Sequence, residues 1–203
     1  MEYFPQKNMS TNSVNISKSL KDAIHVIRKG GLVITKTDTI YGILADATNR
    51  ESVEKIYTLK GRELDKPFIV LIPDIRYLDY FQVSYTEKGE KILSTRGITV
   101  IFKLQDSDRF GYIHRGTKKI AFRIPDDREF LNFLQEIDKP VVAPSANPSG
   151  LEPAKNIEEA VSYFQDRVDL YIDRGEVSSN VPSTIVEVEN GRVKIVRQGS
   201  KQV

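Results

Sequence analysis

Short apolar runs recur along this chain at 32–35, 68–72, 98–104, 119–124, 141–143, 170–172, 184–188 and 193–197, with amphipathic helical patterns between most of them. That alternation constrains the fold most. Continuously apolar runs suit strands covered on both faces, and segments of helical period supply the cover. The last two runs flank Glu189-Asn190-Gly191-Arg192, whose Asn-Gly pair predicts a hairpin turn. Alternation first and a hairpin last predict one mixed α/β domain, with no internal repeat. The expected organisation is a frayed leader over 1–16 and a single domain over 17–203.

Helix positions follow from spacing and caps. Leu20, Ile24 and Ile27 repeat at helical period, with Ser17 read as the N-cap and Gly30 as the stop. Val53, Ile56, Tyr57 and Lys60 share a second helix. Ser84-x-x-Glu87, Asp126-x-x-Glu129 and Asn156-x-x-Glu159 each fit a capping-box start or a variant of one. Phe130, Leu131, Leu134 and Ile137 form a core-facing stripe after the second of these.

Composition removes several classes of function. There is no cysteine, so disulfides, thiolate metal sites and cysteine nucleophiles are excluded. Only His25 and His114 carry imidazoles, in unrelated contexts, which leaves a zinc site or histidine triad unsupported. The 30 Lys and Arg balance against 28 Asp and Glu to a net +2, so any pull on nucleic acid must come from a local patch. No apolar run approaches the ~20 residues of a membrane span. Residues 1–13 lack the apolar stretch of a signal peptide, so a cytoplasmic protein without membrane attachment is expected.

Three segments carry chemistry. Residues 36–42, Lys-Thr-Asp-Thr-Ile-Tyr-Gly, and 145–150, Ser-Ala-Asn-Pro-Ser-Gly, each follow an apolar run. Each reads as small polar groups delivered by the end of a buried strand, the place where open α/β sheets bind ligands. Between them Lys60, Arg62 and Lys66 make a cationic loop. Pro67 restricts Lys66 to extended backbone. Planar guanidinium and compact ammonium groups suit phosphate oxygens. Arg123 is a charge inside an apolar strand and needs an anionic partner, either an internal carboxylate or a bound ligand. Pro182-Ser183-Thr184 and Arg197-Gln198-Gly199 sit at the paired ends of the terminal hairpin. Neither a Gly-x-x-x-x-Gly-Lys-Ser/Thr loop nor a Gly-x-Gly-x-x-Gly turn is present, so a nucleotide site here is not of the P-loop or Rossmann kind.

In this order, residues 36–42, 56–67, 121–125, 144–150, 182–186 and 197–199 resemble the YrdC/TsaC-like threonylcarbamoyl-AMP synthase family, over a span from about Ser17 to Gly199. The resemblance implies a twisted mixed parallel and antiparallel sheet with flanking helices around a positively charged cavity. It implies synthesis of L-threonylcarbamoyladenylate from L-threonine, bicarbonate and ATP with Mg²⁺, releasing pyrophosphate. Downstream threonylcarbamoyl-transfer proteins would then modify a tRNA adenosine beside the anticodon. Carried over by position, Lys60 and Arg62 would be catalytic. Arg62, Lys66, Ser145, Asn147 and Arg197 would bind ATP, and Thr39, Arg123 and Ser183 would hold L-threonine. Lys36, Lys119 and Lys155 would stand at the cavity rim. No protein-held metal is implied beyond Mg²⁺ on the phosphates.

The chain departs from the family in places. Lys36 stands where a proline is usual, and 95–99 replaces a Pro-Gly-Pro-rich turn. The short, single-domain form is expected. Two alternatives stay open: a paralogue making another carbamoyl-adenylate, and a non-catalytic module binding double-stranded RNA or tRNA. The latter would use Arg109, His114, Arg115, Lys118, Lys119 and Arg123 with Phe110 and Tyr112 interleaved.

Overall fold

A computed structural model describes residues 13–106, 108–189 and 191–203. Most of the expected leader therefore lies outside the described residues, as does Asn190 of the hairpin turn. Ile16–Ser17 form β1, paired in parallel with Leu170–Ile172 (β9).

Every strand-like run of the sequence forms a strand. They are β2 (Val33–Lys36), β4 (Ile69–Leu71), β6 (Thr99–Leu104), β7 (Lys119–Arg123), β8 (Val141–Val142), β9, β10 (Ile185–Glu189) and β11 (Arg192–Arg197). Two more strands join them, β3 (Tyr41–Asp46) and the short β5 (Val83–Ser84). The sheet order is β1-β9-β2-β3-β8-β4-β7-β6-β10-β11, with β5 paired to β6 off that path. Parallel pairs (β2 with β9, β4 with β7, β6 with β10) are combined with antiparallel ones (β2 with β3, β4 with β8, β6 with β7), which is the expected mixed sheet. The terminal hairpin closes at Gly191, whose φ of +73° takes the left-handed conformation that glycine tolerates.

Strand alternation sorts side chains to two faces. Val33, Leu44, Leu71, Val141 and Leu170 point to a cluster completed by α1 (Leu20–Arg28) and α6 (Arg128–Ile137), through Ile24, Ile27, Phe130, Phe133 and Leu134. Ile34, Ile43, Val70, Val142 and Tyr171 point the other way. There they meet Val53 and Ile56 of α2 (Arg50–Lys60), Leu93 of α4 (Glu87–Ser94) and Phe164 of α7 (Ile157–Phe164). One-turn helices α3 (Tyr77–Tyr80) and α5 (Gly111–His114) complete the set. Among the described residues no helix is long and apolar enough to cross a membrane.

Three expected caps shift. Ser19, not Ser17, caps α1; Thr86, not Ser84, caps α4; Asp127, not Asp126, caps α6. In each place two cap-capable residues lie within two positions of each other, and the one whose oxygen reaches the N2 or N3 amide takes the position. Asn156 caps α7 as expected, accepting from the Glu159 amide at 2.9 Å.

Candidate active site

Two of the chemistry-bearing segments are neighbours. Residues 37–40 turn the chain from β2 into β3, and 145–147 follow β8. Gly42 and Ser145 form an antiparallel bridge, flanked by Ile43 N–H donating to the Pro144 carbonyl at 2.9 Å and Ala146 N–H to the Tyr41 carbonyl at 2.8 Å. The small polar groups at both strand ends therefore face one place.

The cationic loop arrives there from α2. Gly61 ends that helix at φ +59°, with Arg62 N–H donating back to the Tyr57 carbonyl at 3.1 Å. Tyr57 stacks on Phe68 at 4.1 Å between centroids, and its hydroxyl donates to the Lys66 carbonyl at 2.8 Å. Arg62 packs over the Phe68 ring and donates to the Lys66 and Pro67 carbonyls. The loop is thus fixed to an aromatic pair.

A cavity of about 300 Å³ opens between these elements. Arg62, Arg123, Arg197, Thr39, Ser145 and Ser183 line it, with Thr37, Pro67 and Phe68. Burial lowers the pKa of all three arginines, and Arg123's charge lowers that of Arg197 further. For Arg62 and Arg197 an anion would relieve the cost of burial, while Arg123 already contacts the Asp38 carboxylate. Ser183 is fixed twice over: its hydroxyl bonds the Thr99 hydroxyl at 2.8 Å, and its carbonyl accepts from Arg197.

The other expected site residues sit elsewhere. Lys60 is buried behind the wall. Its Nζ donates to the carbonyls of Ser145 and Asn147 and, at 3.3 Å, to Asn147 Oδ1. Three acceptors require three N–H donors, the complement of an ammonium. Burial first, then the Arg62 charge, pulls its pKa down to about 7. Lys60 therefore ties α2 to the 145–147 loop instead of lining the cavity. Asn147 turns its amide to the Pro148 and Leu151 carbonyls. Lys66 is exposed and paired with Glu63 at 2.8 Å.

None of the three expected rim lysines is among the lining residues. Lys36 Nζ donates to the Glu176 carbonyl at 2.9 Å, Lys119 pairs with Glu187 and Glu189, and Lys155 is exposed. The carboxylates that draw Lys119 away lie far along the sequence on β10, the second neighbour of its strand.

The patch read as an RNA grip also disperses. Arg115 pairs with Glu54 and stacks on Tyr57, Arg123 pairs with Asp38, and Arg109 lies over Tyr80 and Phe110. Each of these three is drawn to a different partner.

The residues that sequence reasoning did not single out are Asp38, Thr37 and Thr99. Asp38 answers the question Arg123 raised: it is the internal carboxylate, at 2.7 Å. Its signal was its place in the 36–42 segment beside Thr39. Among the described residues no group of three or more His, Asp or Glu side chains could hold a metal ion.

The family described as Telomere recombination (Sua5/YciO/YrdC) matches residues 25–199. A Bacillus subtilis threonylcarbamoyl-AMP synthase is 29% identical over 94% of this chain, which spans about half (55%) of that relative's length. A putative threonylcarbamoyl-AMP synthase of Methanocaldococcus jannaschii is 30% identical, over 85% of this chain and 82% of the relative. Among solved structures, Pyrococcus abyssi Sua5 complexed with L-threonine superimposes with a TM-score of 0.82 at 26% identity, over 93% of this chain and 58% of that one. The family match over most of the chain, on this sheet and this cavity, places the protein in the Sua5/YciO/YrdC threonylcarbamoyl-AMP synthase family.

Proposed function

We propose that the protein makes L-threonylcarbamoyladenylate from L-threonine, bicarbonate and MgATP, releasing pyrophosphate. The observation that carries this reading is the convergence of three arginines with the Thr39, Ser145 and Ser183 hydroxyls around one cavity. The substrates are two anions and a carboxylate-bearing amino acid, and guanidinium forks with hydroxyl donors are their complement. The likeness to a protein whose structure is described as complexed with L-threonine supports the choice of amino acid.

In this reading the amino group of L-threonine joins bicarbonate carbon with loss of water. A carbamate oxygen then attacks the α-phosphorus, and the bond to the bridging oxygen breaks to release pyrophosphate. Arg123, Thr39 and Ser183 hold the amino acid. Arg62, Arg197 and Ser145 face the nucleotide, where positioning and charge stabilisation supply the catalysis. Lys66 reaches the phosphates by releasing Glu63, its partner in an exposed and solvent-screened pair. Lys60 acts through the 145–147 loop, and Asn147 shapes that loop. Mg²⁺ enters on the ATP phosphates as part of the substrate, since the cavity lining offers no set of carboxylates for it. The product serves proteins that transfer the threonylcarbamoyl group to tRNA.

Incubation with ATP, Mg²⁺, L-threonine and ¹³C-bicarbonate tests the reading through the product's mass. An adenylate carrying one ¹³C supports it. An adenylate of L-threonine without the label would replace it with simple amino-acid activation.

A further inference from the structure

Arg123 is not left waiting for a substrate carboxylate. Its NH2 donates to Asp38 Oδ2 at 2.7 Å and its NH1 to Thr39 Oγ1 at 3.0 Å. The two charged side chains are 6% and 4% exposed, so this is a buried pair. Asp38 is itself anchored, because the same Oδ2 accepts the Asp126 backbone N–H at 2.8 Å. Asp38 Oδ1 and Arg123 Nε have no partner among the described residues. A second cavity of about 250 Å³ shares Thr39 and Arg123 with the main one and adds Asp38, Asp126 and Lys201.

Two consequences follow from charge and geometry. A guanidinium has five N–H donors, and two are engaged here, so the anchored carboxylate and Thr39 fix the fork while other donors remain. A carboxylate in contact also cancels much of the cation's field, so an incoming carboxylate meets a partly neutralised arginine.

We infer that Asp38 is a positioning residue that sets amino-acid affinity: it holds the Arg123 fork in place and tempers its attraction for the substrate carboxylate. This rests on the reading that Arg123 faces that carboxylate. Removing the Asp38 charge while keeping its shape leaves Arg123 buried without the carboxylate in contact with it, only the more distant Asp126 charge remaining, and a bound carboxylate then supplies the missing anion.

The test is Asp38→Asn, compared with wild type in pyrophosphate release and in thermal shift on adding L-threonine. The expected result is an L-threonine KM lower by about threefold or more, an ATP KM within about twofold of wild type, and a larger L-threonine-induced rise in Tm. A purely structural role would lower Tm without splitting the two KM values. An L-threonine KM that is unchanged or raised overturns the inference while leaving the proposed function in place. Wild-type protein with no L-threonine-dependent turnover defeats both. If Asp38→Asn is not recovered folded, Asp38→Glu keeps the charge, and its L-threonine KM must stay within about twofold of wild type; a fall there overturns the inference equally.

Discussion

Arg197 donates from both Nε and NH2 to the carbonyl oxygen of Ser183, at 3.1 and 2.8 Å. This clasp joins the last residue of β11 to the segment that leads into β10, and it stands at the cavity wall. The Ser183 hydroxyl is held in turn by Thr99, a fully buried residue at the start of β6. The hairpin thereby fixes one side of the site, and β6 fixes the same residue from beneath.

Ser183→Ala removes the partner of the buried Thr99 hydroxyl and costs about 1–2 kcal/mol of stability. In the proposed reaction it also raises the L-threonine KM about tenfold, with the ATP KM changed less than about twofold. Steady-state kinetics with each substrate varied in turn checks this, and equal rises in both contradict the assignment to the amino acid.

Arg62→Ala is expected to lower kcat/KM for adenylate formation by about 100-fold or more, the order found when a donor to developing charge is removed. The partly buried side chain lies on an otherwise exposed loop and over one face of Phe68, so Tm should fall by only a few degrees. Loss of stability on the scale of a core deletion, read by calorimetry, contradicts a role in the chemistry.

Gly199 has no room for a side chain. A Cβ there would lie 2.2 Å from the Pro182 carbonyl oxygen and 2.5 Å from the Thr184 nitrogen, both backbone atoms. Gly199→Ala must displace the segment that carries Ser183, at about 2 kcal/mol or more. Thermal unfolding should show a Tm lower by about 5 °C, together with a raised L-threonine KM.

Lys60 makes a prediction about pH. Its folded pKa is lowered to about 7, below the ~10.4 of an unfolded lysine. Between those values the unfolded chain binds a proton that the folded chain releases, so this group's contribution to stability rises with pH across that interval. Lys60→Met removes the contribution. The stability of wild type relative to the variant should therefore climb from pH 7 toward pH 10 in denaturant titrations, and a flat difference contradicts the shift.

Much of this was legible in the sequence, for physical reasons. Continuously apolar runs mark strands covered on both sides, and each one named forms a strand. The longest of the strands that escaped, β3, begins inside the polar 36–42 segment and ends in Asp46, which pairs with Lys139. Its chemistry concealed its burial. Arg62, Arg123, Arg197, Thr39, Ser145 and Ser183 meet at one cavity because strand ends and the hairpin bring them there. Lys119 and Lys66 do not, because a cation turns to the nearest carboxylate, and spacing along the chain does not reveal Glu187 across the sheet. The strut formed by Lys60 was not legible, since nothing local shows that three acceptors enclose its Nζ.

The most direct test of the account is pyrophosphate release from MgATP by the purified protein, with single amino acids scanned in the presence and absence of bicarbonate. The account predicts release with L-threonine that disappears when either L-threonine or bicarbonate is left out. Release that ignores bicarbonate, or that any other amino acid supports better than L-threonine, would contradict it.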